Sequence, residues 1–369
     1  MSLKTYTINL TTIGPVHIGM GETIRKQEYI YEKNASQVHF VDGKKMTKFF
    51  KDKGILKAFL NYITDYKQRA DLATFLKDKK IKKEEWKAFI TYSEHVNQGK
   101  RYTTGQSIKS FESNTKPLND IHKMVRDGQG SVYIPGSSLK GALRTAIQGN
   151  RKIVENHIAN RANRFHHVAL ETQQIVVKEE INKIFNKIKI GDSNPISESD
   201  LEIYQKIDIN KKAKAMPLYR ECIKAGTEVT FTMTIEDDVL SGHELEEIIR
   251  LFYKNYWEKW ASGFENTVAG KEFFDMGAVP NDKEVREQKA ILFVGGGSGF
   301  VSKTLYYQIN NKTIAKNNSF KVLKNRFRRV YGKMSTQPGN VPIVLKGTVN
   351  TSQNKWYQFG ACEIQISEK

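Results

Sequence analysis

Residues Ile134 to Ala146 read IPGSSLKGALRTA, a Pro-Gly-Ser-Ser turn directly ahead of a short amphipathic helix. Leu139, Ala142, Leu143, Ala146 and Ile147 fall at i, i+3, i+4, i+7 and i+8 and make one apolar stripe, with Ser137 or Ser138 available as the N-cap. Lys140, Arg144, Gln148 and Arg151 share the opposite face. A helix N-terminus presents free N–H groups and favours acidic side chains, yet this one opens with a cation. A bound phosphate reconciles the two, the alternative being an ordinary surface helix with a basic face. On the phosphate reading, replacing Lys140 and Arg144 with Ala weakens retention of a polyanion and leaves the apolar stripe, and hence the fold, intact.

The surrounding composition points the same way. The chain has 369 residues, enough for two domains of ordinary size, and 39% hydrophobic content supports real cores. Lys and Arg number 59 against 40 Asp and Glu, a net charge of +19, so a polyanionic partner is expected. No stretch has the apolar length of a membrane span and no strongly hydrophobic interfacial helix is evident, which favours nucleic acid over a membrane surface. The opening MSLKTYTINLTTIGPVHIG alternates as a strand does and lacks the layout of a signal peptide. Cys222 and Cys362 are the only cysteines and stand far apart, so neither a disulfide scaffold nor a zinc site is indicated, and a reducing cytoplasm fits.

Strands are expected at Thr5 to Ile13 and Gln37 to Val41, separated by a bend containing Gly14, Gly19 and Gly21. Helical patterns follow at Lys48 to Tyr66, with Phe49, Leu56, Phe59, Leu60 and Ile63 as a buried stripe, and at Lys83 to Asn97. Together with the polar stretch Gln98 to Pro117 they suggest an inserted helical layer near 48–117. Val132 to Ile134 is read as a short strand feeding the opening helix, whose basic character continues through Asn150 to Asn163. Further strands are expected at Ile184 to Ile190, Thr227 to Ile235, Ala290 to Val294 and within Val341 to Ile366, with a long helix over His243 to Ser262. The order strand, helical region, strand recurs in both halves, which suggests two α+β units over residues 1–180 and 181–369.

Three further segments carry chemistry. GGGSGFVSKT, from Gly295 to Thr304, follows an apolar strand but has Ser302 where the nucleotide-binding P-loop needs Gly before Lys303-Thr304, and the turn at Gly136 fails the same comparison at Ala142 and Leu143. Nucleotide hydrolysis is therefore not expected. Gly295, Gly296, Gly297, Ser298 and Gly299 still let backbone N–H groups approach phosphates closely, unless they form only a tight bulge. His17, where the chain leaves the first strand, is either a structural or RNA-contacting histidine or, in the alternative, the general acid or base of metal-independent RNA cleavage. Glu236, Asp237 and Asp238 read as a solvated turn, not a metal site. Finally, Lys324, Arg326, Arg328 and Arg329 lie among Phe320, Phe327 and Tyr331, cations suited to backbone phosphates with Phe327 expected in the core.

GPVHIGMGE near the start, IPGSSLKGALRTA and the late GGGSGFVSKT resemble the RAMP superfamily of CRISPR proteins. With KIGDSNPI (Lys189 to Ile196) and MPLYREC (Met216 to Cys222), the whole chain is similar to the subunit-five family of type III-A Csm effector complexes. The resemblance implies an α+β fold of two ferredoxin-like (RRM-type) units. It also implies a place at the end of the Csm backbone filament, near the 3′ end of the CRISPR RNA, and a role in maturation and assembly. The implied partners are CRISPR RNA, other Csm subunits, above all the backbone RAMP subunit, and a host nuclease. Ser137, Ser138, Lys140 and Arg144 match the family's basic helix start and Gly295 to Gly299 its glycine loop; Lys303 joins them on its chemistry. His17, Arg151, Lys324, Arg326, Arg328 and Arg329 complete the expected RNA contacts. The aromatic signature of RRM domains is not recognisable, and neither a cofactor nor a catalytic residue is expected.

Overall fold

Alternation along β1 (Leu3–Thr12) buries Tyr6, Ile8 and Leu10 on one face and turns their neighbours outward. Both edges of this strand are occupied. It pairs along nearly its whole length with β10 (Glu228–Glu236) on one side and with β14 (Ala361–Glu368) on the other. The computed structural model describes residues 3–65, 71–99, 118–150, 182–236, 240–275 and 287–369. Within these, β11 (Ile291–Phe293), β14, β1, β10 and β7 (Ile188–Ile190) form one sheet in that order, every neighbour antiparallel. Helices α5 (Gly136–Gln148) and α6 (Gly242–Lys259) pack against this sheet. Leu139, Leu143 and Ile147 from α5 and Leu245, Ile249, Phe252 and Tyr256 from α6 join Ile8, Leu10, Phe231 and Met233 in one core. Each such side chain contributes about 1.5–3 kcal/mol by leaving water. Ser241 caps α6 through the Glu244 N–H while the Glu244 carboxylate accepts the Ser241 N–H, so this helix starts where its capping box dictates.

A second, nine-stranded sheet runs β2 (Gly19–Ile24), β6 (Ile121–Met124), β9 (Ala213–Ile223), β8 (Leu201–Ile209), β5 (Ile90–Asn97), β4 (Gln37–Val41), β3 (Tyr29–Glu32). The far half of β8 pairs instead with β12 (Leu345–Asn350), which in turn pairs with β13 (Lys355–Gln358). Between β4 and β5 lie α1 (Gly43–Asp52), α2 (Leu56–Thr64), α3 (Leu72–Asp78) and α4 (Lys83–Trp86). They carry their own core, in which Phe50, Phe59, Phe75 and Phe89 meet edge to face or tilted.

The mixed α+β architecture agrees with the sequence, as do β1, β4, β10 and α6. Four local expectations fail, the strand at Val132 to Ile134 among them, where Val132 forms only isolated bridges to Arg126 and Ile196. The Lys48 to Tyr66 pattern is two helices broken at Gly54, whose φ of +71° is left-handed; Leu60 is consequently exposed. Lys83 to Asn97 is helical only to Trp86, because the β-branched and aromatic run after Ile90 pairs with β4 and β8. Ile184 lies in a helical turn, and only Ile188–Ile190 is strand. Both sheets take strands from either side of residue 180, so a boundary there divides the sequence and not the sheets. Residues 100–117 and 151–163 lie outside the described residues.

The second sheet also buries charge. Glu221 is fully buried, with its carboxylate accepting the Met124 N–H at 2.6 Å and Arg126 Nη2 at 2.8 Å. Glu94 is 4% exposed, and burial, followed by the charge of the Glu221 carboxylate, drives its pKa well above the ordinary range, which favours its protonated form. In the unfolded chain Glu94 ionises near its ordinary value, so stability is lost as pH rises through the elevated folded pKa. Glu94→Gln supplies a donor that does not titrate. Melting curves recorded from about pH 5 upward are expected to show wild type losing more than the variant. Equal losses would overturn the raised pKa of Glu94.

Candidate nucleic-acid interface

The glycine-rich loop begins where β11 stops. Gly295, Gly297 and Gly299 have φ of +77°, +97° and +99°, the region that side chains disfavour. The Gly296 N–H donates to the His17 carbonyl at 2.7 Å, and a Cβ on Gly295 would lie 2.3 Å from the same oxygen. The loop is thereby docked on the bend that carries His17. Ser298 is buried with its hydroxyl 2.9 Å from that of Ser302, so its side chain faces the interior and leaves a contact at this position to the backbone.

His17 is itself 5% exposed. Its Nδ1 donates to the Glu221 carbonyl at 2.8 Å, which leaves the lone pair on Nε2. Burial, followed by the positive charge of Arg220 and the neighbouring His122, lowers its pKa to about 4, so the ring is neutral at neutral pH. His122 of β6 lies edge-on to it at 6.4 Å between centroids and is lowered by partial burial and Arg220.

Arg220 of β9 is the hub of this region. Its guanidinium lies 5.9 Å from the Phe359 ring centroid, and Nη1 is buried without a hydrogen-bond partner. Gly297 makes room for it, since a Cβ there would stand 3.1 Å from Nη1. Burial lowers the Arg220 pKa. Lys303, in a 3-10 turn after the loop, is lowered by burial and by Arg220. Lys206 of β8 is lowered by burial and by Lys346, although both lysines reach Asp208, at 3.6 and 2.8 Å. Four strands and two loops thus bring His17, His122, Arg220, Lys206, Lys303 and Lys346 around one cleft, with Asp208 on its flank and Glu221 and Asp120 acting on the two histidines. Such an arrangement suits an anion.

The opening helix is put to a different use. Pro135 is the N-cap of α5, and Ser137 and Ser138 stand inside its first turn. The Gly136 N–H donates to the Asp192 carboxylate at 2.8 Å, so the chain supplies its own anion at this terminus. Lys140 Nζ donates to the Phe185 and Ile188 carbonyls at 2.7 and 2.5 Å, and burial lowers its pKa. Arg144 donates to Asn182 and covers the Phe185 ring at 5.3 Å. The two cations therefore fasten α5 to the segment before β7. In the free protein both side chains are engaged with this segment, and their removal is expected to loosen α5 from it. Arg151, Asp237 and Asp238 lie outside the described residues.

Lys324 and Arg326 close the last turn of α9 (Lys312–Arg326; α7 is Val268–Asp275 and α8 Tyr306–Ile309), and Arg328 and Arg329 follow. All four are exposed. Phe327, expected in the core, is 54% exposed, whereas Tyr331 takes the buried position. Of the cleft residues, sequence reasoning missed His122, Lys206, Arg220 and Lys346. Arg220 sits in the MPLYREC segment, but only pairing between β9 and its neighbours brings it to the glycine loop.

The RAMP superfamily model matches residues 9–333. Curated relatives include the CRISPR system Cms protein Csm5 of Enterococcus italicus, 45% identical over 98% of this chain and 97% of that protein. The Csm5 of Streptococcus thermophilus is 28% identical over 99% and 98%. The fold is shared, at a TM-score of 0.63 and 15% identity over 99% of this chain and 100% of the other, with a chain of a cryo-EM Csm-crRNA-target RNA ternary complex of a type III-A system. It is also shared with the crystal structure of T.onnurineus Csm5, at 0.60 and 14% identity over 96% and 99%. The chain belongs to the RAMP superfamily and, within it, to the Csm5 family of CRISPR systems.

Because Lys140 satisfies two carbonyls through charge-assisted bonds, Lys140→Ala is expected to destabilise the protein by about 1–3 kcal/mol in chemical denaturation. An unchanged midpoint would return Lys140 to the surface.

Proposed function

We propose that this chain is a non-catalytic, RNA-binding subunit of a type III-A Csm effector complex, in which the Arg220 cleft holds the phosphate backbone of CRISPR RNA. The carrying observation is the unpartnered, buried Nη1 of Arg220 among other cations beside the glycine loop. Family membership and the fold shared with a chain of a Csm-crRNA-target RNA complex support it. Contact through charge leaves sequence reading to base pairing. In the complex the subunit caps the backbone filament near the 3′ end of the RNA, next to the backbone RAMP subunit, and supports maturation and assembly, with a host nuclease as a further partner. Its site is the cytoplasm.

The five-stranded sheet is proposed to be one ferredoxin-like unit. β1, α5, β7, β10, α6 and β14 follow in chain order as βαββαβ, and the strands lie in the order β14, β1, β10, β7. Cleavage by His17 is the weaker alternative: a buried imidazole with a pKa of about 4 holds a proton too loosely at neutral pH to be an efficient base. We assign it to positioning the glycine loop.

The test is titration of the purified protein with labelled CRISPR RNA over a range of salt. Arg220→Gln and Lys303→Ala are each expected to weaken binding and to flatten the plot of log affinity against log salt by about 0.7 for each phosphate no longer neutralised. Arg220→Gln is also expected to raise the melting temperature of the free protein, since it removes a desolvated cation. Unchanged affinity together with a lower melting temperature would make Arg220 a structural residue. Cleavage of the RNA in EDTA, abolished by His17→Ala, would establish the alternative.

A further inference from the structure

Every charged residue between Glu287 and Glu363 is a lysine or an arginine. The densest part is the end of α9 and the turn after it, where Lys324, Arg326, Arg328 and Arg329 have no carboxylate partner among the described residues. Phe327 stands among them, 54% exposed, with Val330, 50% exposed, beside it.

This ring is held from beneath. The Phe327 N–H donates to the Leu323 carbonyl at 2.8 Å, and the Phe327 carbonyl accepts the N–H groups of Val330 and Tyr331 at 3.0 and 2.9 Å. The Gly332 N–H closes onto the Arg328 carbonyl at 3.1 Å, at a point where a Cβ on Gly332 would come within 2.5 Å of that oxygen. Tyr331 points inward, packs with Leu323 and Val341, and accepts the Ile343 N–H at 3.0 Å. The same turn therefore anchors one aromatic ring in the protein and presents the other to solvent.

An acidic protein surface would engage the cations and leave the ring in water. A duplex would engage the cations too, but its bases are stacked on each other and offer no free face. An unpaired strand uses both features, phosphates on the guanidinium groups and a base on the ring. Phe300, the residue after Gly299, packs against the Leu323, Tyr331 and Val341 cluster beneath this turn, which ties the turn to the end of the glycine loop.

We propose that Phe327, framed by Arg326, Arg328 and Arg329, is a stacking site for an unpaired base of single-stranded RNA that continues from the Arg220 cleft. This rests on the cleft holding RNA.

The full chain is titrated with an unstructured oligoribonucleotide carrying a fluorescent adenine analogue, and with a blunt RNA duplex of the same length. Phe327→Ala is expected to lower single-strand affinity about tenfold and to abolish quenching of the analogue, with duplex affinity, salt dependence and melting temperature unchanged. Phe327→Trp is expected to restore both signals. Replacing the three arginines with Ala is expected to weaken both ligands and flatten the salt dependence. Wild-type single-strand binding by Phe327→Ala, or failure of Trp to restore it, overturns the platform. So does loss of association with co-expressed Csm subunits while RNA binding is intact, which would make the ring a protein contact. If Arg220→Gln weakens RNA binding and Phe327→Ala does not, the platform alone falls; if neither has an effect, the RNA reading of the cleft falls with it.

Discussion

The passage of residues 13 to 18 from the first sheet to the second is the constraint on which the rest of the arrangement depends. On leaving β1, Ile13 and Gly14 both donate to the Ala361 carbonyl, and Pro15 accepts the Gly360 N–H. Val16 exchanges both of its backbone bonds with Ile223 of β9, His17 reaches the Glu221 carbonyl with its ring and the Gly296 N–H with its own carbonyl, and Ile18 accepts the Val125 N–H. Six residues thus tie together the last strands, β9 of the second sheet, the glycine loop and the residue that follows β6. Gly14 is obligatory here, because a Cβ would overlap the Gln358 carbonyl at 1.9 Å. The crossing also explains why the glycine loop keeps one shape despite its composition. Glycine alone would leave it many conformations, and docking onto His17 selects one of them.

Legibility from the sequence follows the range of the interaction that decides each element. β1, β10 and α6 are governed by their own period and caps, and Leu245, Ile248, Ile249, Phe252, Tyr256 and Trp260 are all buried as their spacing requires. The segment Ile90–Asn97 carries helix-compatible charge next to α4, and only pairing with β4 and β8, distant in sequence, makes it a strand. Lys140 shows the same limit at the level of a side chain. Its place on the polar face of α5 is as the period requires, but the face is covered by residues 182 to 188, whose carbonyls are invisible to helical periodicity. Phe327 fails in the opposite direction: an aromatic among cations reads as core, and the turn after α9 gives that position to Tyr331. The cleft around Arg220 is only half legible, its glycines conspicuous in sequence and its cations scattered over β6, β8, β9 and β12.

The cost of the cleft is carried in the free protein. Arg220, Lys206 and Lys303 are partly withdrawn from water and repel one another, and all three pKa values are displaced in the direction that favours losing the proton. Asp208 relieves one flank by holding Lys206 and Lys346. Nothing equivalent stands by Arg220 Nη1. A fold that needed only stability would have placed a carboxylate there, since replacing or pairing a buried charge is favourable.

Strand β9 shows how that carboxylate is kept away although it is the next residue. Arg220 and Glu221 are adjacent, and the period of two sends them to opposite faces, Arg220 toward Phe359 and the glycine loop, Glu221 toward Arg126 and Glu94. On the Glu221 side Arg126 meets two carboxylates, Glu221 at 2.8 Å and Glu198 at 3.1 Å, and burial favours the protonated form of a third, Glu94. Were Glu94 ionised, it would add a negative charge on the Glu221 face of the sheet and weaken the positive field on the Arg220 face. The buried acid pair and the open cation therefore belong to one arrangement, in which the proton on Glu94 preserves the positive potential that an RNA phosphate would meet on the other face.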